Sequence, residues 1–482
     1  MRTYSIIKNI GLNGMMICAL AMILSCKKFI QVDPPSTSVN GGNVYTENSN
    51  SIAVLTGLYA KVSSSAFSLD LSRLPDLSAD NLTLLDLGNP WDKQYYQNSL
   101  STTSMLSLWG DLYSYMYIVN SAIEGLNGTS SLNPEIKQHL LGEAYFMRGF
   151  FYFYLTNLYG DVPLILTTDY KVNSNIIKSP SDLIYNQIVL DLKQAQSILD
   201  EKYVDGTILK ETSNRLRPNK MTATALLARV YLYKKNYPEA EIEATKIIQN
   251  SLYSVTTLNE TFLKNSRETI WALQPVSDGD NTKEGEYYIF PLSGPDNHNN
   301  VCISHDLFAA FDNGDQRKSK WIGEFQAGTK SYPFPYKYKV KDGDPSNPAE
   351  YTIVFRLAEQ YLIRAEAQIQ QGNLENGIKD LNVLRTRSND SSLPLEMQLK
   401  QLPLTLSKDD AIIAIEKERR SELFSEWGNR WFDLKRTGKI DAVMSTATVE
   451  KGGTWSSYKA NYPIPLSEIQ RNPKLTQNTG YN

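Results

Sequence analysis

Leu227, Ala228, Tyr231, Tyr237, Ala240 and Ala244 recur at helical spacing on either side of a short break, a pairing that narrows the possible folds more than anything else here. Ala228 and Ala240 are small where two antiparallel helices approach most closely. Pro238 opens the second helix at a position where its missing N–H costs nothing. A second pair spans 356–387, with Ala365 and Ala367 on its first helix, Gly372-Asn373 at the turn, and Leu374, Ile378, Leu381 and Leu384 along its second. One such pair cannot bury its own apolar face. Two clear pairs and at least two degenerate ones therefore imply a helical array.

The spacing is that of tetratricopeptide helix pairs. Upstream, Ile52, Leu55 and Tyr59 share one face, and Trp109, Tyr113, Met116, Asn120 and Ile123 continue the period. Ile136, Leu140, Ala144, Met147, Phe151 and Leu155 hold it from Pro134 to Gly160, and another amphipathic helix is expected over 182–199. The stretch 74–106, rich in Asp, Asn, Ser and Thr and carrying Gly88-Asn89-Pro90-Trp91, reads as a long ordered loop. Alternating runs such as Thr269-Ile270-Trp271-Ala272-Leu273 and Tyr336-Lys337-Tyr338-Lys339-Val340 read as short strands among Pro- and Gly-rich loops. The expected class is mainly α: a tetratricopeptide-like array over 51–270 and 351–482, with a loop-rich insertion at 271–350. The whole of 51–482 is expected to form one compact unit.

The N-terminus carries Arg2 and Lys8 without an acid, then an apolar run, 15–24, too short for the ~20 residues that span a bilayer. It ends in Ile23-Leu24-Ser25-Cys26, a bacterial lipobox. Residues 1–25 are read as a signal peptide, with the mature chain starting at Cys26, acylated (palmitate among the chains) on sulfur and amine. Two or more acyl chains anchor stably to a membrane. Residues 26–50 read as an extended tether, stiffened by Asp33-Pro34-Pro35 and free to bend at Gly41-Gly42. Loss of two cations from a chain of formal net charge −3 leaves a mildly acidic surface. That excludes nucleic acid as a partner, since phosphate neutralisation dominates such binding. Cys302 is left without an internal disulfide partner.

Three histidines, no HExxH and no cysteine cluster exclude zinc catalysis. No cofactor is expected; Asp278-Gly279-Asp280-Asn281 with Glu284 offers hard oxygens for calcium but lacks EF-hand spacing. Tyrosine, at 29 against 15 phenylalanines, suits half-apolar, half-wet surfaces such as carbohydrate sites. Late in the chain, Glu416, Glu418, Arg419, Arg420, Glu422, Glu426, Arg430, Asp433, Lys435 and Arg436 alternate with Leu423, Phe424, Trp427, Trp431 and Phe432. Glu416 and Arg420 form an opposite-charge i,i+4 pair, whereas Glu418 and Glu422 form a like-charge one. The pattern reads as ion pairs bracing neighbouring helices.

Glu418-Arg419-Arg420-Ser421-Glu422-Leu423 followed by Gly428-Asn429-Arg430-Trp431-Phe432-Asp433-Leu434-Lys435-Arg436-Thr437-Gly438 resembles the late signature of the SusD/RagB family of outer-membrane nutrient-binding lipoproteins. Phe29 to Tyr45, Glu143-Ala144 through Gly160-Asp161-Val162-Pro163, Arg356-Leu357-Ala358-Glu359 through Arg364-Ala365-Glu366, and Tyr462-Pro463-Ile464-Pro465 to Tyr481 agree in the same order. The resemblance implies a SusD-like fold and a lipoprotein that faces the cell exterior. It also implies a SusC-like TonB-dependent transporter as partner and delivery of a glycan or other oligomer to it. Two departures stand out: Trp427 precedes Gly428 where the family more often has glutamate, and Lys27-Lys28 follow the lipid cysteine where surface-exported relatives carry acids.

Oligosaccharide sites combine aromatic rings that stack on sugar faces with polar side chains for hydroxyls. Two regions supply both: Arg73, Asp80, Asn81, Trp91, Asp92, Tyr95 and Tyr96, and then Tyr287, Tyr288, Asn297, His298 and Trp321. Trp91, in an expected polar loop, is the leading candidate. Two other readings remain open at this point: a glycoside hydrolase, which needs two carboxylates ~5–9.5 Å apart, and a helical-repeat scaffold for protein partners.

Overall fold

The computed structural model describes residues 44–85, 90–104, 108–276, 281–342 and 348–481. Cys26, the expected signal segment and most of the tether lie outside the described residues, as do positions 278–280 of the calcium candidate. The fold is mainly helical, and its helices stack in chain order. The principal ones are α1 (Asn48–Ser64), α2 (Phe67–Ser78), α3 (Pro90–Tyr96), α4 (Leu108–Gly128), α5 (Pro134–Tyr159), α6 (Ser181–Ile198), α7 (Lys220–Tyr233) and α8 (Tyr237–Ile248). After the strand-bearing segment come α9 (Leu357–Gln370), α10 (Leu374–Ser388), α11 (Lys408–Leu423), α12 (Asn429–Arg436), α13 (Ile440–Glu450) and α14 (Leu466–Arg471).

From α4 to α10 each helix packs on the next, including α8 on α9, so the array continues unbroken across the long excursion between them. The helix ends follow ordinary capping chemistry. Asn133 accepts from the amides of Glu135 and Ile136 ahead of Pro134, while Asn219 and Thr222 form a reciprocal capping box at α7. The turn between α9 and α10 passes through Gly372 at φ 88°, a left-handed conformation that favours glycine. Ala228 and Ala240 are fully buried in the α7–α8 pair, as their size requires.

Helix α5 is the axis of the core. Beyond its first two turns nearly every side chain is buried, so it has no solvent face. Phe146 and Phe150 meet Trp271, in the segment Thr269–Leu273, edge-on at 5.1 and 5.6 Å between centroids. Phe355, in Thr352–Arg356, completes the cluster. The strands are short and all paired antiparallel: β1 (Leu82–Leu84) with β5 (Val301–Ile303), β2 (Val162–Pro163) with β3 (Lys178–Ser179), β4 (Thr269–Leu273) with β8 (Thr352–Arg356), and β6 (Ile322–Ala327) with β7 (Lys330–Pro335). The β4–β8 pair is buried along its length and ties both ends of the excursion to α5.

Three expectations need correction. Residues 336–340 are not a strand, since β7 ends at Pro335. Residues 48–50, assigned to the tether, already belong to α1: the Ser51 hydroxyl reaches back to Val44 O and Glu47 O, and Tyr45 packs against Gly125, where a Cβ would fall 2.0 Å from its ring. The stretch 74–106 is not a loop throughout, since it holds the end of α2, strand β1 and helix α3. Its polar side chains misled because they face inward. Asp76 accepts from Ser425 N at 2.7 Å, Ser78 meets the Tyr462 hydroxyl at 3.0 Å, and Asn98 reaches Ser78 O and Thr448. Pro75 interrupts the α2 ladder, and Gly428 covers the gap: a Cβ there would fall 3.1 Å from Leu71 O and 3.0 Å from Pro75 Cγ.

Candidate functional site

The charged helix of the late signature is a brace. Glu422, fully buried, accepts from Arg356 at 2.6 Å, Arg317 at 2.8 Å and Arg387 at 2.5 Å. Glu418 binds Arg317 at 2.6 Å and Arg385 at 3.2 Å; Glu426 binds Arg356 at 2.8 Å and also Lys337. The like-charge pair Glu418 and Glu422 is thus held by an arginine between them. Burial would raise the Glu422 carboxyl, but the three guanidiniums hold it well below the usual carboxylate range.

Trp321 belongs to this brace rather than to a ligand surface. It is 0% exposed, donates to Leu258 O at 3.0 Å, and lies under Lys337, Arg387 and Arg356 at 4.8 to 5.7 Å. The interior cations need an aromatic face, and the tryptophan supplies it. Asp80 and Asn81 are corrected in the same way. Asp80 is clamped by Arg430 through two bonds of 2.7 Å, and Asn81 accepts from Arg420 at 2.9 Å. Burial opposes ionisation of Asp80, yet Arg430 and Arg420 bring its carboxyl down to about 2.

Arg73, Asp92 and Tyr287 do come together, but inside the protein. The Arg73 guanidinium binds Asp92 at 2.5 Å and Asp70 at 2.8 Å and sits 4.8 Å from the centre of the Tyr287 ring. The Tyr287 hydroxyl donates to Asn300 at 2.9 Å. Tyr288 is buried beside it, and Tyr95 is buried edge-on to Tyr462 at 5.4 Å. These side chains lock α2, α3 and the helical turn Lys283–Tyr288 to one another and are closed to a ligand. Tyr96 is half-buried with Lys451 over its ring. Trp91 is half-buried in the first turn of α3, where Pro90 pre-sets the helix start, while Asn297 and His298 are exposed.

An aromatic hairpin beside the loop of Asn297 and His298 is a feature the sequence reading did not single out. Strand β5, paired with β1, also packs on β7, so α3, β1, β5, β7 and β6 adjoin in that order. On this hairpin Phe325 lies across from Tyr332, and Tyr332, Phe334 and Tyr336 follow at period two. Phe334 is buried against Phe290 at 5.0 Å, and its ring occupies the space where a Cβ of Gly323 would sit. Phe325, Tyr332 and Tyr336 are half-buried around it, as is Leu85, with Lys330 over the Tyr332 ring at 4.7 Å and Lys339 over that of Tyr336 at 4.4 Å. The loop bearing Asn297 and His298 rests on the hairpin through Gly294, whose φ of 94° and closeness to the Phe325 ring exclude a side chain. Asp296 fixes the loop by accepting from the amides of His298 and Asn299 at 2.8 and 2.7 Å. The sequence signal was there in Phe325, Tyr332 and Tyr336, an aromatic at alternate positions on two short strands.

Among the described residues, no group of three or more His, Cys, Asp or Glu side chains is arranged to hold a metal. Glu284 of the calcium candidate is buried, accepts from Thr352 at 3.1 Å, and is pushed up to about 7 by burial. His139 is spent on Glu143 at 3.1 Å. Cys302 is buried and its thiol pushed up to about 12 by burial. Among the described residues no single helix is long and apolar enough to cross a membrane.

Comparison with known proteins agrees with this architecture. Residues 326–481 match the model of the SusD family, and residues 28–232 match a SusD-like model described as starch-binding associating with outer membrane. The SusD-like protein P38 of Formosa agariphila is 24% identical over 98% of this chain and 99% of its own. The starch-binding protein SusD of Bacteroides thetaiotaomicron is 33% identical over 29% of this chain and 24% of its own. In fold, the surface glycan-binding protein A of the same species superposes with a TM-score of 0.74 at 18% identity, covering 90% of this chain and all of that one. The ordered motifs, the helical array and both family matches lead to one assignment: the chain belongs to the SusD/RagB family.

Proposed function

We propose that the protein is a lipoprotein of the outer membrane, anchored through Cys26 and facing the cell exterior. It binds an oligosaccharide and passes it uncleaved to a SusC-like TonB-dependent transporter. The observation that carries the reading is the hairpin face, where Phe325, Tyr332 and Tyr336 lie half-buried around Phe334 and the loop with the exposed Asn297 and His298 rests on them through Gly294. Such rings offer apolar surface to sugar faces, and the flanking amide and imidazole offer hydrogen bonds to hydroxyls. Binding is favoured over hydrolysis because the carboxyls raised most by burial among the described residues, Asp76 to about 6 and Glu284 to about 7, are enclosed and bonded to protein groups.

The test is affinity electrophoresis of the chain from Lys27 onward, which keeps every described residue, in gels containing soluble starch, laminarin, a β-mannan or a sulfated galactan. Retardation by at least one polysaccharide is expected, and it should weaken at least fivefold in the Phe325→Ala, Tyr332→Ala double variant. Retardation by none, or release of shortened products at catalytic rates, would overturn the proposal.

A further inference from the structure

We infer that the cleft between α4 and α14 is a second saccharide-binding site, able to hold a short run of hexose-sized units of the same oligosaccharide. This rests on the glycan-binding reading above but concerns a different part of the molecule. None of its walls belongs to α3 or to strands β1, β5, β6 and β7, which carry the hairpin face.

One wall is a stripe of aromatic residues four apart on α4. Trp109 is buried at the base, Tyr113 is half-buried with its ring centroid 4.9 Å from that of Trp109, and Tyr117 is 59% exposed. The spacing puts all three on one helix face, rising from the floor of the cleft to its lip. Tyr113 is fixed there by its hydroxyl, which donates to Pro163 O at 2.8 Å. The opposite wall is polar. Glu468 and Arg471 of α14 pair at 2.5 Å with the guanidinium largely in solvent, and Asn173 contributes an occluded Oδ1 that has no hydrogen-bond partner.

The cleft encloses about 280 Å³ and adjoins a more open groove of about 410 Å³ lined by Thr102, Thr103, Ser104 and Gly110, with Glu468 common to both. The first volume lies at the small end of the range for small-molecule sites, and the second continues it lengthwise. An aromatic strip facing a carboxylate, a guanidinium and an amide, opening into a hydroxyl-lined trough, suits a ligand with apolar faces and hydroxylated edges repeated along a chain. A flat protein partner would need neither the enclosed end nor the polar trough. Two sites on one rigid body also raise retention of a polymer above that of a short oligomer, because the second contact becomes intramolecular.

The experiment compares three proteins from Lys27 onward: wild type, Tyr117→Ala, and the Phe325→Ala, Tyr332→Ala variant. Each is run in gels of the polysaccharide that retards the wild type and then titrated calorimetrically with a hexasaccharide of the same linkage. Tyr117 is largely exposed, so its variant keeps the wild-type melting curve. The expected result is two hexasaccharides bound per wild-type chain, one per Tyr117→Ala chain, and at least tenfold weaker retention of that variant by the polymer. A single hexasaccharide per wild-type chain with Tyr117→Ala indistinguishable from it would overturn the second site and leave the hairpin face standing. Loss of all binding in Tyr117→Ala with none in the hairpin variant would uphold the cleft and overturn the hairpin face. A wild type retarded by no polysaccharide would overturn the glycan reading itself, and the cleft with it.

Discussion

Glu422→Gln is the most discriminating single change for the architecture of this chain. The carboxylate contacts three guanidiniums, those of Arg317, Arg356 and Arg387, each with a side chain no more than 5% exposed. Glutamine keeps the shape but turns one acceptor into an NH₂ donor pointed at another donor and removes the charge that the arginines share. Breaking a buried ion pair by removing one partner costs about 3–5 kcal/mol. Glu418, Glu426 and Glu268 still face the same arginines, so the lower half of that range is expected. An unfolding entropy near 2.1 cal/mol/K per residue gives a folded body of this length roughly 0.9 kcal/mol per kelvin at the midpoint. The melting temperature should therefore fall by about 3–5 °C. Calorimetry and urea unfolding followed by tryptophan fluorescence both read this, since Trp321 lies 5.3 Å from Arg387. Glu375→Gln is the control, because its partner Lys379 and Glu375 itself are more than half exposed and such pairs contribute under ~1 kcal/mol. Equal melting temperatures for Glu422→Gln and Glu375→Gln would refute the view that the signature helix acts as a charge-neutralised brace.

Three further outcomes follow from the same contacts. Gly428→Ala should destabilise by about 1–3 kcal/mol, measured as a shifted urea midpoint, because φ is 72° and the new methyl would meet Leu71 O, Pro75 and Phe432 at 3.0–3.1 Å. The Asp80 carboxyl is depressed to about 2 in the folded protein, so its contribution of about 2 kcal/mol is present above pH ~4 and lost as pH falls from there through 2; the acid limb of the wild type should be shifted or flattened in Asp80→Asn. Cys302 is buried with its thiol pushed up to about 12, so iodoacetamide at pH 8 should leave it unmodified in the native protein and label it in urea, as read by mass spectrometry.

The helical array was legible because its signal is local and periodic. Ala228 with Ala240, and Ala365 with Gly372, report helix-to-helix closeness and turn geometry within forty residues of each other, and the observed pairs α7–α8 and α9–α10 fall on those residues. Helix α3 was not legible. Seven residues are too few for a period to show, and Gly88-Asn89 before Pro90-Trp91 suggested a loop where Pro90 in fact begins a helix. The joining of α8 to α9 across a hundred residues was equally silent, because it depends on the β4–β8 pair, whose strands lie far apart in sequence.

The candidate site fared differently from the fold for one physical reason. The residue types that bind sugars, namely Trp, Tyr, Arg, Asp and Asn, are also those that build a polar core, and composition alone does not separate the two. Arg73, Asp92 and Tyr287 have the composition of a ligand site, yet Arg73 is bound by Asp70 and Asp92 and the Tyr287 hydroxyl by Asn300. Trp321 was read as a stacking platform and is one, but for Arg356, Arg387 and Lys337 inside the protein. The distinction lies in neighbours remote in sequence. The cations that cover Trp321 are Lys337, Arg356 and Arg387, none of them in the adjoining helix Gln316–Lys320, whose Lys318 lies over Phe308 instead. Phe325 and Tyr332, paired in the strands that flank Gly328-Thr329, pack on Phe334 and stay half-buried, with the Gly294 loop against the Phe325 ring and Lys330 over that of Tyr332 at 4.7 Å. Aromatic pairs facing each other across a tight turn therefore stay nearer the surface than the aromatics of a long polar stretch, as Phe325 and Tyr332 do beside the buried Tyr95.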